Sequence, residues 1–82
     1  MKKELEVAAI ITALRLEHGY TKKDVARAIK VSPTTYAKFE RGEGRMTSKH
    51  IMLLADLYLV SCDYLLGLSD VRHPIRKRII TN

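Results

Sequence analysis

The stretch that decides the fold is Lys22–Arg41, KKDVARAIKVSPTTYAKFER. It writes two short amphipathic helices back to back, with room between them only for a tight turn. In the first, Val25, Ala26 and Ile29 recur at the spacing that places them on one face. Thr21 precedes it as N-cap, and Asp24 three residues on completes a capping-box-like pair that also suits the positive end of the helix dipole. The second helix opens on Ser32-Pro33. The serine caps free amides, and the proline takes the first helical position, where a missing N–H is harmless. Tyr36 and Phe39 turn inward at i and i+3, while Thr34, Ala37, Lys38 and Arg41 fall on the opposite side. Lys30 is left to the turn.

Two helices joined this tightly form the helix-turn-helix supersecondary unit, whose second helix can enter a DNA major groove. The flanking sequence supplies more helix. Leu5, Ala8, Ala9, Ile11 and Leu14, with Ile10 beside them, make one apolar stripe that predicts a first helix from about Lys3 to His18, stopped by Gly19. Gly42 and Gly44 stop the third helix and begin a loop through Arg45 and Met46. Ser48 or Thr47 caps a fourth helix that turns Ile51, Leu54, Ala55 and Tyr58 inward. Ser61 caps a short fifth, Cys62 to Leu66, closed by Gly67. The last dozen residues, VRHPIRKRIITN, read either as a basic arm or as a short strand. The expectation is an all-α, five-helix domain over residues 1–69, with the helix-turn-helix at 22–41 and a basic tail over 70–82.

Composition agrees with this and narrows the function. Eighty-two residues make one domain. The single cysteine, Cys62, excludes an intrachain disulfide and makes a thiolate zinc site implausible. No apolar run suits a membrane span, and MKKELEV lacks the apolar core of a signal peptide, so a soluble cytoplasmic protein is expected. The net charge of +6 is unevenly spread. Residues 20–49 carry eight basic side chains against Asp24, Glu40 and Glu43, a net of +5. Residues 50–70 carry Asp56, Asp63 and Asp70 and no lysine or arginine, and residues 71–82 add Arg72, Arg76, Lys77 and Arg78. Positive charge thus gathers on the helix pair and the tail, the footprint of a polyanion-binding surface.

The run Leu14-Arg15, Gly19, Thr21, Val25-Ala26, Val31-Ser32, Tyr36, Phe39-Glu40, Gly42 and LLADLYLVSCDYLLG resembles the lambda-repressor-like, Cro/repressor-type (XRE-like) DNA-binding domain over about residues 8–68. The resemblance implies a five-helix domain that binds operator DNA as a dimer. It also implies a buried ion pair, Arg15 with Glu40, tying helix 1 to the end of helix 3. The sequence departs from the family pattern twice: Lys22 stands where glutamine is frequent, and Lys30 where the turn favours glycine. A left-handed lysine there costs roughly 1 kcal/mol relative to glycine.

Candidate base-reading residues are Thr34 and Lys38, one turn apart on the exposed face, with Pro33 and Ala37 adding apolar contact. Lysine donates to guanine O6 and N7, and threonine donates or packs on a thymine methyl. Phosphate candidates are Thr21, Lys22, Ser32, Thr35, Arg41, Arg45 and Lys49, several of them at helix N-termini, where free N–H groups point at anions. So sparse a reading head implies that phosphates supply much of the affinity and DNA shape part of the specificity. Lys23, Arg27 and Lys30 are read as solvated surface charges.

The other polar residues offer no chemistry. His18, His50 and His73 lack metal-ligand spacing, and Cys62 reads as a small buried thiol. No nucleophile constellation or phosphate loop is present, so no enzyme, metal, cofactor or small-molecule ligand is expected. So small a domain reads few base pairs, and a homodimer is expected, with Tyr64, Leu65, Leu68, Val71, Ile75 and Ile79 as interface candidates. The leading reading is a phage- or mobile-element-type repressor of double-stranded operator DNA. The alternative is a protein-interaction module, an antitoxin or antirepressor on the same fold.

Overall fold

The computed structural model describes residues 2–70 and Arg72. Helices α1 (Lys2–Glu17), α2 (Lys22–Ala28), α3 (Pro33–Glu40), α4 (Ser48–Tyr58) and α5 (Cys62–Leu65) follow in order, with no strand among the described residues. α2 packs chiefly on α3, α3 on α1, and α4 on α5. The fully buried centre is Ile11 and Leu14 of α1, Val25 and Ile29 of the α2 segment, Tyr36 of α3, Leu54 of α4 and Leu65 of α5. Every helix thus contributes at least one large aliphatic or aromatic anchor to the centre, and burial of this kind is worth about 1.5–3 kcal/mol per side chain.

The α1 stripe differs from expectation in its phase. Val7, Ala8, Ile11 and Leu14 are buried and Ala9 is exposed; the Leu5 side chain lies outside the described residues. The VAAII run is apolar at five consecutive positions, so periodicity alone leaves its inner face uncertain by one residue. Cys62 is half-buried at the start of α5 rather than enclosed.

The turns between helices follow from how each helix ends. After α1 the chain reverses through Gly19 at φ +72°, with Gly19 N–H on Leu16 O and Tyr20 N–H on Arg15 O, both at 3.1 Å. This is the Schellman pattern, which satisfies otherwise orphaned carbonyls. α2 ends in the same pattern, with Lys30 N–H on Arg27 O at 3.2 Å and Val31 N–H on Ala26 O at 3.0 Å, but here the left-handed residue is Lys30, at φ +63°. The departure from glycine therefore keeps the turn and strains it. α4 ends on a second such residue, Leu59, at φ +57°. In the loop after α3, Gly44 lies against the Phe39 ring, where a Cβ would come within 2.6 Å of Cδ1.

Tyr58 closes the other side of the core, packed in a ring cluster with His18 at 5.0 Å and Tyr20 at 6.1 Å between centroids. Its hydroxyl is buried without a hydrogen-bond partner among the described residues. Burial, and then the Glu40 charge, push the phenol up to about 12.

Candidate nucleic-acid interface

The helix pair is fixed at both of its N-termini by side-chain caps. Thr21 Oγ1 accepts from Asp24 N–H at 3.0 Å, and the Asp24 carboxylate accepts from Thr21 N–H at 2.9 Å, a reciprocal capping box. Those backbone and hydroxyl donors hold the Asp24 carboxyl below the usual carboxylate range. At α3, Ser32 Oγ accepts from Thr35 N–H at 3.1 Å and donates its own proton to Thr35 Oγ1 at 3.0 Å. The Ser32 proton is thereby spent, and of these two phosphate candidates Thr35 is the one that keeps a hydroxyl proton to offer.

The outer face of α3 presents Pro33, Thr34 and Lys38 to solvent, while Ala37 is half-buried and shows only part of its methyl group. Lys22, Lys38, Arg45 and Lys49 are exposed and form no ion pair among the described residues. Arg41 pairs with Glu43 at 3.3 Å, but both side chains are more than half exposed. Such a pair is worth at most about 1 kcal/mol, so it leaves Arg41 available to an anion.

What positions this face is the far end of α3. Arg15 Nε donates to Glu40 Oε2 at 2.6 Å and Nη2 to Oε1 at 3.1 Å, with side-chain exposures of 12% and 6%. Arg15 Nη1 donates to Tyr20 O at 3.1 Å, and the Tyr36 hydroxyl donates to Glu40 Oε2. Burial works to raise the Glu40 pKa, but the Arg15 and Tyr36 hydrogen bonds outweigh it and hold the carboxyl below its ordinary value. The Glu40 hydrogen bond in turn raises Arg15, and burial followed by the Glu40 contact raises Tyr36. Three elements therefore meet around this ion pair: α1 through Arg15, the α1–α2 turn through the Tyr20 carbonyl, and α3 through Tyr36 and Glu40.

The expected interface residues separate cleanly. Leu65 is completely buried in the monomer core and is withdrawn as a contact residue. Tyr64 is half-buried, Leu68 is 63% exposed, and Val71, Ile75 and Ile79 lie outside the described residues. Arg72, expected within the 70–82 tail, is bonded to α1 and α5. Its guanidinium donates to Glu17 at 2.9 and 3.2 Å and to the Tyr64 hydroxyl at 3.2 Å, and its carbonyl accepts from Ser61 N–H at 2.9 Å.

Two features escaped the sequence reading. His50 completes a capping box at α4, its Nδ1 accepting from Thr47 N–H at 3.1 Å while Thr47 Oγ1 accepts from His50 N–H at 3.3 Å. Thr47, not Ser48, is thus the cap, and a histidine in the third position was not an expected partner. The second is a notch of about 290 Å³ between α2 and the start of α3, lined by Lys23, Ala26, Arg27, Val31 and Pro33. Among the described residues no group of side chains could hold a metal ion, and no helix is long and apolar enough to cross a membrane.

The arrangement is one of capped helices, an exposed polar third helix and unpaired cations, and comparison with known proteins agrees with it. The Helix-turn-helix family profile matches residues 11–65, and the chain belongs to that family in its XRE-like form. It is 34% identical over 61 residues to the "Uncharacterized HTH-type transcriptional regulator YobD" of Bacillus subtilis (strain 168), covering 74% of this chain and 54% of the relative. It is 33% identical over 57 residues to the HTH-type transcriptional regulators AnsR and ImmR of the same organism, covering 70% of this chain and 49% and 45% of the relatives. The chain therefore spans about half the length of the curated relatives it matches. No solved structure matches it.

Proposed function

We propose that the protein is a sequence-specific double-stranded DNA-binding transcriptional regulator, acting as a homodimeric repressor of the phage or mobile-element type at the nucleoid. The observation that carries this reading is the exposed face of α3. Thr34 and Lys38 are exposed on it, between a capped N-terminus and Lys22, Arg45 and Lys49, cations with no ion pair among the described residues. Lys38 and Thr34 read base edges; Pro33 and the partly covered Ala37 add apolar contact. Thr21, Lys22, Thr35, Arg41, Arg45 and Lys49 hold phosphates, Ser32 serves by fixing the Thr35 hydroxyl rather than by donating its own proton, and Arg15 with Glu40 fixes the angle at which α3 is offered. The similarity to three proteins named as HTH-type transcriptional regulators supports the same reading.

Two copies related by a two-fold axis, meeting at the exposed Leu68 and the edge of Tyr64, present their third helices about 34 Å apart in successive major grooves. A salt titration of binding to the DNA upstream of the chain's own coding region tests this. The expected plot of log K against log salt is linear, with a slope steeper than about −4, and affinity for that region exceeds affinity for random duplex by about a thousandfold or more. Weak, unselective binding would instead favour a protein-interaction module built on the same fold.

A further inference from the structure

Lys30 and Leu59 are the two described residues other than glycine with backbones in the left-handed region, at φ +63° and +57°. Each is strained relative to glycine, the residue that takes the equivalent position after α1 and α5. Strain retained at such a position points to a use for the side chain. Among the described residues the Leu59 side chain is left 64% exposed. Lys30 sits immediately beside the α2–α3 notch, between Ile29 and the notch residue Val31.

The notch has an apolar floor of Ala26, Val31 and Pro33 and a rim of Lys23 and Arg27. These two cations stand one turn apart on α2, exposed, with no ion pair among the described residues. Such a site suits an aliphatic side chain flanked by carboxylates. The chain itself carries that segment: Leu59 lies between Asp56, three residues before it, and Asp63, four residues after it, and both aspartates are exposed without an ion pair among the described residues. Residues 50–70 contain no lysine or arginine that would oppose the approach of a basic rim. Met52 of α4 is a further exposed apolar side chain of the same segment.

We infer that the α2–α3 notch of one copy of this chain receives Leu59 of a second copy, with Lys23 and Arg27 of the first beside Asp56 and Asp63 of the second. The two surfaces are unlike, so the contact is head-to-tail and the pair retains one free notch, on the second copy, and one free Leu59, on the first. It is independent of DNA and distinct from two-fold pairing at Leu68. A charged rim around a small apolar centre makes it weak and sensitive to salt.

Sedimentation of the full chain without DNA, with reductant present to keep Cys62 from cross-linking, tests it. Wild type is expected to form a concentration-dependent species larger than the two-fold pair at low salt and to lose it at about 0.5 M salt. Leu59→Gly, which removes both the knob and the backbone strain and so folds at least as well, weakens that association about tenfold or more, as does Lys23→Glu with Arg27→Glu. An equimolar mixture of the two variants regains a larger species, because the intact notch of one meets the intact Leu59 of the other. A wild type with no such species, a Leu59→Gly protein that associates like wild type, or a mixture no larger than its parts would each overturn the proposal. The two-fold pair appears or fails to appear equally in all samples and is scored separately.

Discussion

Arg15 grips both carboxylate oxygens of Glu40, at 2.6 and 3.1 Å, across 25 residues of sequence. The pair is nearly closed to solvent, and the same carboxylate accepts from Tyr36. Removing the guanidinium leaves a buried charge unmatched. Arg15→Ala is expected to lower stability by about 3–5 kcal/mol in urea unfolding. Glu17→Ala, which breaks the half-exposed pair with Arg72, is expected to lower it by about 1 kcal/mol or less. Equal effects from the two substitutions would show that burial is not what gives the inner pair its weight.

Stability should fall at both ends of the pH scale, for different reasons. Glu40 is held below its ordinary value of 4.5 in the folded protein, so the unfolded chain binds the proton first as pH falls. Its contribution is fully present above that value and is lost as pH drops through the folded pKa. Tyr58 is raised to about 12 and Tyr36 is raised as well, so their contributions are intact below the ordinary phenol value of 10 and lost as pH climbs above it. Thermal unfolding across pH should show both limbs, and Glu40→Gln should flatten the acid one. An unchanged acid limb in that variant would assign it to other carboxylates.

Glycine substitutions should act in opposite senses at two turns. Lys30→Gly relieves a left-handed lysine and is expected to raise stability by up to about 1 kcal/mol. Gly44→Ala drives a methyl group into the Phe39 ring and is expected to lower it by about 1–3 kcal/mol. Calorimetry of the two variants reads both signs directly, and a Lys30→Gly protein less stable than wild type would contradict the strain assigned to the turn.

The parts of the fold that could be read in the sequence were those governed by local rules. Thr21 with Asp24, Ser32 with Pro33, and Ser61 each mark a helix start because capping depends on residues three apart. The parts that escaped depend on tertiary packing or on unusual chemistry. Nothing in the sequence around Leu59 announces a left-handed residue where glycine is the rule. His50 carries no capping signal in sequence because a capping partner is ordinarily an acid or amide, although an imidazole nitrogen can also accept. Arg72 read as tail because its partner Glu17 is 55 residues away. Leu65 and Leu68 look alike in sequence, and only packing separates a core residue from an exposed one. Among the site residues, the exposure of Thr34 and Lys38 follows from helical periodicity. The loss of Ser32's hydroxyl proton to Thr35 does not.

Within the proposed interface, base reading and phosphate holding should separate by substitution. Lys38→Ala is expected to weaken operator binding by about 1–3 kcal/mol and to relax preference at one base pair. Lys49→Ala should weaken operator and random DNA alike and reduce the salt slope by about one. Equal losses on both kinds of DNA for Lys38→Ala would remove its base-reading role.

Selection of bound duplexes from a random pool by this 82-residue chain addresses sequence-specific recognition most directly. The expected outcome is enrichment of one short motif present twice, as half-sites related by a two-fold axis and centred about 10 base pairs apart. A pool that stays unenriched after repeated rounds, or a motif unaltered by Lys38→Ala and Thr34→Ala together, would contradict the assignment of α3 as the element that reads DNA.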